Sequence, residues 1–292
     1  MKQDIKPLVS VYLPTKNRCS LIGRAILSVM NQDYPNIELI IVDDGSTDST
    51  PECLSDFAKK YSNIKIMRFE TSQGACAARN WAINHASGEF VTGLDDDDYF
   101  LPQRISSLIE AYHDKYAFIC SSSIWDYGRR KKIIDSSPLE ITLHAQLNYN
   151  EATNQILVKR ERVLELKGFD TTFLSCQDYD LWTRLIIKYG NGLRISTPTY
   201  YINDTSNTQR MIHSDNGKLG YQQFLAKHRN LMTPSNVANQ RFMQIRRLRQ
   251  KLTIQELLSQ WGSGNYLSKI KYFLSSNFNT IKNMHGKYYR NK

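Results

Sequence analysis

The chain has no long apolar run. Its uninterrupted apolar stretches, such as Leu39–Val42 and Leu185–Ile187, hold only a few residues, against the roughly 20 that a membrane-spanning helix needs. The opening MKQDIKPLVS carries no signal-peptide core. The five cysteines (Cys19, Cys53, Cys76, Cys120 and Cys176) are odd in number and include no C-x-x-C pair, which argues against a disulfide framework and a zinc knuckle. Reduced, packed thiols in a cytoplasmic protein are therefore expected. A G-x-G-x-x-G fingerprint is also missing, because the first apolar segment runs into PTKNR, and this disfavours a dinucleotide-dependent dehydrogenase. No internal repeat and no low-complexity segment is present.

What is there is charge, unevenly placed. Residues 1–204 hold 23 Lys and Arg against 26 Asp and Glu, a net of −3, whereas residues 205–292 hold 15 against 2, a net of +13. The basic C-terminal part implies an anionic partner, phospholipid or nucleic acid. The 292 residues suffice for one large domain or two modest ones at roughly 150 residues each. The change in charge divides the chain at 204/205, into a core of 1–204 and a flexible loop with a basic helical region over 205–292.

The first hundred residues alternate between two periodicities. LVSVYLP (8–14), IELIIVDD (37–44), IKIMRF (64–69) and EFVTGL (89–94) read as buried strands, and helical patterns fall near 20–32, 49–60 and 75–86. Strand and helix in alternation predict an α/β fold with a parallel sheet and right-handed crossovers. Further strands are read at 117–125 and 154–160, with RRKKII as an edge strand or hairpin. A helix is read at 161–168, and another follows with apolar residues at 181, 182, 185, 186 and 189. Two helical stretches, 237–262 and about 265–284, fill the tail. The stripe of Phe242, Ile245, Leu248, Leu252 and Leu257 reads equally as a membrane-interface face or as a packing face against the domain or a second copy of the chain.

Ligands of a parallel sheet bind at the carboxyl ends of its strands. There the chain places Pro14-Thr15-Lys16-Asn17-Arg18, then Asp43-Asp44-Gly45-Ser46, then the run Asp95-Asp96-Asp97-Asp98. Adjacent carboxylates raise one another's pKa, so four together call for a cation. Oxygen ligands of this kind suit Mg²⁺ or Mn²⁺, which bind through one or two carboxylates plus substrate phosphates. A nucleotide can lie across this edge. Asp43 and Asp44 are acceptors for ribose or base, or serve an Asx-turn into Gly45-Ser46. Arg79 meets phosphate or base, or lies on a helix surface. His213 is a lone histidine, structural or ligating. Asp178, at a helix start whose dipole favours its charged form, is the candidate general base, and Asp180 is read as structural.

Taken together, VSVYLPTKNR, AILSVMNQDYPNIELIIVDDGSTDS, GACAARNWAINHASGEFVTGLDDDD and GFDTTFLSCQDYDLWTRL resemble the family 2 glycosyltransferases over residues 8 to about 190. The resemblance implies a GT-A fold and an inverting, nucleotide-sugar-dependent transfer. It implies that Pro14, Thr15 and Asp44 bind uracil and ribose and that Arg79 lies near the nucleotide. It also implies that the D-x-D falls on Asp95, for ribose or sugar, and Asp97, for Mn²⁺ or Mg²⁺. Asp96 holds the variable middle place among the donor-binding residues. Asp178 falls on the family's base, preceded here by Gln177 rather than Glu. His213, three residues after Arg210, resembles a histidine that approaches the metal. The implied donor is a UDP-sugar, and the implied acceptor is a saccharide, often lipid-linked, in bacterial surface polysaccharide synthesis. That work takes place at the inner face of the cytoplasmic membrane, where the basic tail supports peripheral association, without nucleic acid. The C-terminal helices also offer a route to a homo-oligomer. A sugar nucleotidyltransferase is disfavoured, because PTKNRCSLIGR lacks a glycine-rich loop. A glycosidase would not need a nucleotide-type edge, and a basic nucleic-acid-binding protein would leave Asp95–Asp98 and Asp178 without a purpose.

Overall fold

The computed structural model describes residues 6–153, 155–204, 215–264 and 266–278. Its first half follows the alternation read from the sequence: β1 (Val9–Thr15), α1 (Cys19–Met30), β2 (Ile37–Asp43), α2 (Thr50–Lys60), β3 (Ile64–Arg68), α3 (Ala75–Asn84) and β4 (Phe90–Gly93). β3, β2, β1 and β4 lie side by side and all pair in parallel. Successive side chains of β1, β2 and β4 leave opposite faces of the sheet, and both faces are covered, whereas the edge strand β3 is largely exposed. Val11, Leu13, Leu39 and Ile41 pack under α1 with Ile22 and Ile26. Tyr12, Ile40 and Val42 meet Ala78 and Ala82 of α3 on the other side. Burial on both faces is why these strands read as nearly continuous apolar runs.

The second half extends the sheet with β5 (Tyr99–Phe100), α4 (Arg104–Glu110), β6 (Ile119–Asp126), β7 (Lys131–Ile134), β8 (Leu139–Ile141) and α5 (Leu143–Asn148). It continues through β9 (Leu157–Lys159), α6 (Arg160–Glu165), α7 (Gln177–Tyr189) and β10 (Gly192–Asn203). The strand order is β3-β2-β1-β4-β9-β6-β10-β5, with β7 on β6 and β8 on β10. The sheet is thus mostly parallel, with β9 inserted antiparallel between β4 and β6. The RRKKII segment supplies β7, the second strand of a hairpin with β6. β10 goes unread in the sequence because Arg194, Ser196, Thr197 and Pro198 break its apolar pattern. Its parallel pairing with β6 shifts register on both sides of Pro198.

The tail holds α8 (Asp215–His228), a 3-10 turn (Arg229–Leu231), α9 (Pro234–Arg247), α10 (Ile254–Ser259) and α11 (Tyr266–Asn277). The single helix expected over 237–262 is two. Arg249 turns left-handed at φ 52°, and the amide of Gln250 donates back to the carbonyl of Ile245, closing the end of α9. Thr253 and Glu256 then form a capping box that starts α10. The core-facing side of α9 is polar. Asn236, Asn239 and Gln240, spaced to share one helix face, donate to the carbonyls of His144, Asn148 and Leu147 along the short helix α5. Phe242, Ile245, Leu252 and Leu257 are buried together, so most of the apolar stripe read in the tail is a packing face.

Asp180 of α7 is fully buried and joins α7 to α8. One oxygen lies 2.9 Å from His228 Nε2 and 2.9 Å from Lys227 Nζ, and the other lies 2.8 Å from Arg184 Nε. Burial opposes the charge, yet the hydrogen bond from His228 and the Arg184 and Lys227 cations hold the carboxyl below its ordinary value. Removing one member of such a cluster strands the others. Asp180→Ala should cost about 3–5 kcal/mol in chemical denaturation; a loss below about 0.5 kcal/mol would contradict this account of the α7–α8 junction.

Candidate active site

Because β1, β2 and β4 are parallel, their carboxyl ends share one edge, and the loops there are tied to one another. Asn17 adopts φ 55°. Its amide donates to Ser46 Oγ at 2.8 Å, and its side-chain oxygen accepts from the Thr47 amide at 2.8 Å. Asp43 makes the Asx-turn, accepting from the Ser46 amide at 3.0 Å. Asp44 is buried and accepts from Ser72 Oγ (2.6 Å), the Gln73 amide (2.6 Å) and the Gly74 amide (3.1 Å). Asp44 thus orders the loop that opens α3 at the same edge as Pro14 and Thr15.

The acidic run follows β4. Asp95 Oδ1 accepts from Arg79 Nη2 at 3.0 Å and from Gln155 Nε2 at 3.1 Å. Gln155 Oε1 in turn accepts from the Tyr12 hydroxyl at 3.2 Å. Asp96 accepts from Thr15 Oγ1 at 2.8 Å and lies 3.4 Å from Arg18 Nε. Asp98 accepts from the Asn203 amide at 2.9 Å. The backbone carbonyl of Asp97 accepts from Arg24 Nη2 at 2.6 Å. Burial, with the neighbouring charges of Asp97 and Asp95, pushes Asp96 up to about 6 against the opposing hydrogen bond from Thr15. Asp98 is raised for the same reasons. The repulsion that the sequence implied is therefore only partly answered by protein cations.

That residual charge fits an oxygen-ligated divalent ion. Among the described residues no three His, Cys, Asp or Glu groups form a ready-made cation cage. An ion here would need donor oxygens as well, in keeping with Mg²⁺-type sites. His213 lies outside the described residues, as do Arg210 and the loop expected there.

Arg79 is not a surface arginine. It is buried over the Phe169 ring at 5.5 Å, and its Nε and Nη1 find no acceptor among the described residues. Leaving such donors unpaired costs about 1–3 kcal/mol each, which an anionic ligand oxygen would recover. Asp178, in the first turn of α7, accepts from Asn150 Nδ2 at 3.1 Å. Its carboxyl is raised above the ordinary value, first by burial and further by the Asp95 charge, outweighing the Tyr179 amide and Arg79. The helix-start argument for an easily ionised Asp178 is thus outweighed by burial. Arg79, Asp95 and Asp178 are near enough to one another for their charges to interact.

Residues 10–169 match the model of Glycosyl transferase family 2. The chain belongs to that family. The colanic acid biosynthesis protein WcaA of Escherichia coli (strain K12), named as a glycosyl transferase, is 31% identical over 263 residues, 87% of this chain and 92% of its own. A UDP-Glc:α-D-GlcNAc-diphosphoundecaprenol β-1,3-glucosyltransferase of Escherichia coli, WfaP, is 32% identical over 62% of this chain and 71% of its own. Among solved structures, a mannosyltransferase of Pyrobaculum calidifontis in complex with GDP-Man and Mn²⁺ superimposes with a TM-score of 0.61. It is 18% identical and covers 97% of this chain and 80% of its own, a likeness of fold. This family 2 chain has the GT-A architecture and is a transferase.

Of the residues nominated from sequence, Thr15 with Asp96, and Arg79 with Asp95, are in direct contact. Pro14 is half-buried in β1 beside Thr15. Gln155, Asn150 and Tyr12 were not nominated. The antiparallel direction of β9 carries Gln155, just ahead of the strand, to the carboxyl edge of β4. Strand direction is the signal that would have found it. Gly93 makes room for this glutamine, since a Cβ there would meet Gln155 Oε1 at 2.0 Å and Tyr12 Cε2 at 2.4 Å. Gly93→Ala should therefore displace Gln155 from Asp95 and slow sugar transfer about 100-fold while the far-ultraviolet dichroism stays unchanged. Unchanged turnover would remove Gln155 from the site.

Proposed function

We propose that the chain moves a sugar from a UDP-sugar to a saccharide acceptor, carried on a lipid diphosphate, with inversion at the anomeric carbon, in bacterial surface polysaccharide synthesis. The observation that carries this reading is the convergence of a carboxylate pair (Asp95 and Asp96), a buried arginine with donors to spare (Arg79) and a carboxyl of raised pKa (Asp178) at one sheet edge. The names of relatives support its direction. WfaP takes glucose from UDP-Glc to a diphosphoundecaprenol-linked sugar and makes a β-linkage.

In this reading Pro14, Thr15 and Asp44 hold uracil and ribose, and Asp95 and Asp96 hold the donor's ribose or sugar. Asp97, with His213, would hold Mn²⁺ or Mg²⁺, the metal carried by the solved mannosyltransferase being Mn²⁺. When bound, such an ion neutralises charge on a departing diphosphate. Asp178 accepts the proton of an acceptor hydroxyl as that oxygen attacks the anomeric carbon, and the bond to UDP breaks on the opposite face. Arg79 offers its unpaired Nε and Nη1 donors to the charge that develops on the leaving group. A single displacement turns an α-linked donor into a β-linked product. Residues 1–204 carry this chemistry except for His213, and the remainder of residues 205–292 serves the approach to the acceptor.

Asp178→Asn should leave donor binding intact and lower transfer by at least about 10²–10⁴-fold. In the unaltered chain, activity requires the ionised base, so kcat/KM falls as pH drops through a pKa lying above the usual carboxylate value of about 3.9. A profile flat from pH 7 to below 4, or retained turnover in the variant, would remove Asp178 as base.

Chelation should abolish transfer, and Mn²⁺ or Mg²⁺ should restore it. Chelator-insensitive transfer would contradict the metal assignment.

A further inference from the structure

The tail residues that the core does not consume form a second pattern. In α10 and just beyond it, Ile254, Leu258 and Trp261 follow one another at helical spacing and are 64%, 61% and 73% exposed. In α11, Lys269 points inward, donating to Ser263 and Gln260. Leu267, 69% exposed, and Leu274 therefore lie on the opposite, outward side of that helix. Single exposed apolar residues need no explanation, but two neighbouring helices with outward apolar stripes do. Exposed Arg246, Arg249 and Lys251 precede α10, and exposed Lys271 sits within the outward stripe of α11.

We propose that the outward faces of α10 and α11 are a lipid-docking surface that lies in the headgroup region of an anionic bilayer. An amphipathic face with a large indole, aliphatic neighbours and flanking cations is built for that boundary, with its apolar side about 5–10 Å into the headgroup and acyl layer. No helix among the described residues is long and apolar enough to cross a membrane. Charge decides against a second copy as occupant. A two-fold contact through this face would set exposed Arg246, Arg249, Lys251 and Lys271 against the same cations of the other copy. Nucleic acid would satisfy the cations but leave the apolar stripe in water. For its purpose, though not for its test, the inference rests on the lipid-linked acceptor proposed above, since docking here holds the chain where such an acceptor resides.

The test is flotation of the full chain with vesicles of phosphatidylcholine alone and of phosphatidylcholine mixed with phosphatidylglycerol. The chain should float with the mixed vesicles and not the neutral ones, and salt should release it. The exposed-site variant Ile254→Ser/Leu258→Ser/Trp261→Ser should weaken partition on the order of tenfold or more. Arg249→Gln/Lys251→Gln/Lys271→Gln should weaken it about fivefold per charge. Lys282, Lys287, Arg290 and Lys292 stay in both variants. UDP release from a soluble donor should be unchanged in both, so a failure of docking is distinguishable from a failure of the transferase reading. Equal flotation of the variants, equal binding to neutral vesicles, or DNA binding or a stable dimer in place of vesicle binding would each overturn the proposal.

Discussion

Carboxylates crowded at the end of a buried strand repel one another, and the architecture of this molecule is arranged around that constraint. Asp95, Asp96 and Asp98 are held by three different parts of the chain: Arg79 of α3 with Gln155, the Thr15–Arg18 loop after β1, and the backbone at the end of β10. The run is thus the point where β1, α3, β9 and β10 meet. Burial first, and the neighbouring carboxylates after it, keep Asp96 and Asp98 raised despite the protein's own cations. A diphosphate alone would add to the repulsion, whereas a divalent ion between the two relieves both.

The parallel half of the sheet explains why these groups are neighbours at all. β1, β2 and β4 point the same way and deliver their following loops to one edge. Hydrogen bonds through Asn17, Asp43 and Asp44 then fix the loops to one another. α7 brings Asp178 to the same basin. Behind it, the buried Asp180 cluster fastens α7 to α8, so the element that carries the candidate base is anchored from the tail.

Much of this was legible in the sequence, for a physical reason. Strands buried on both faces, β1, β2 and β4, leave apolar runs that need no tertiary information to recognise, and they and the more exposed edge strand β3 were read close to their observed limits. The motifs after them lie in the loops that follow each strand, so recognising a parallel strand also places its loop at the carboxyl edge. What was not legible depended on pairing direction or on polar packing. Gln155 reaches Asp95 only because β9 runs antiparallel, and nothing local in NQILVKR states that. β10 hides behind Pro198 and polar neighbours. α9 docks through Asn236, Asn239 and Gln240, which a hydrophobic pattern cannot flag as an interface. The helix start that favours a charged Asp178 is visible in sequence, whereas the burial that outweighs it is not.

The central claim is that the acidic run and a divalent ion together grip the donor's diphosphate. Titration calorimetry of UDP, with and without Mn²⁺, on the unaltered chain and on Asp97→Asn tests it most directly. The account predicts that Mn²⁺ strengthens UDP binding to the unaltered chain and does little for the variant. UDP affinity that is the same with and without Mn²⁺, or equally enhanced by Mn²⁺ in Asp97→Asn, would contradict it.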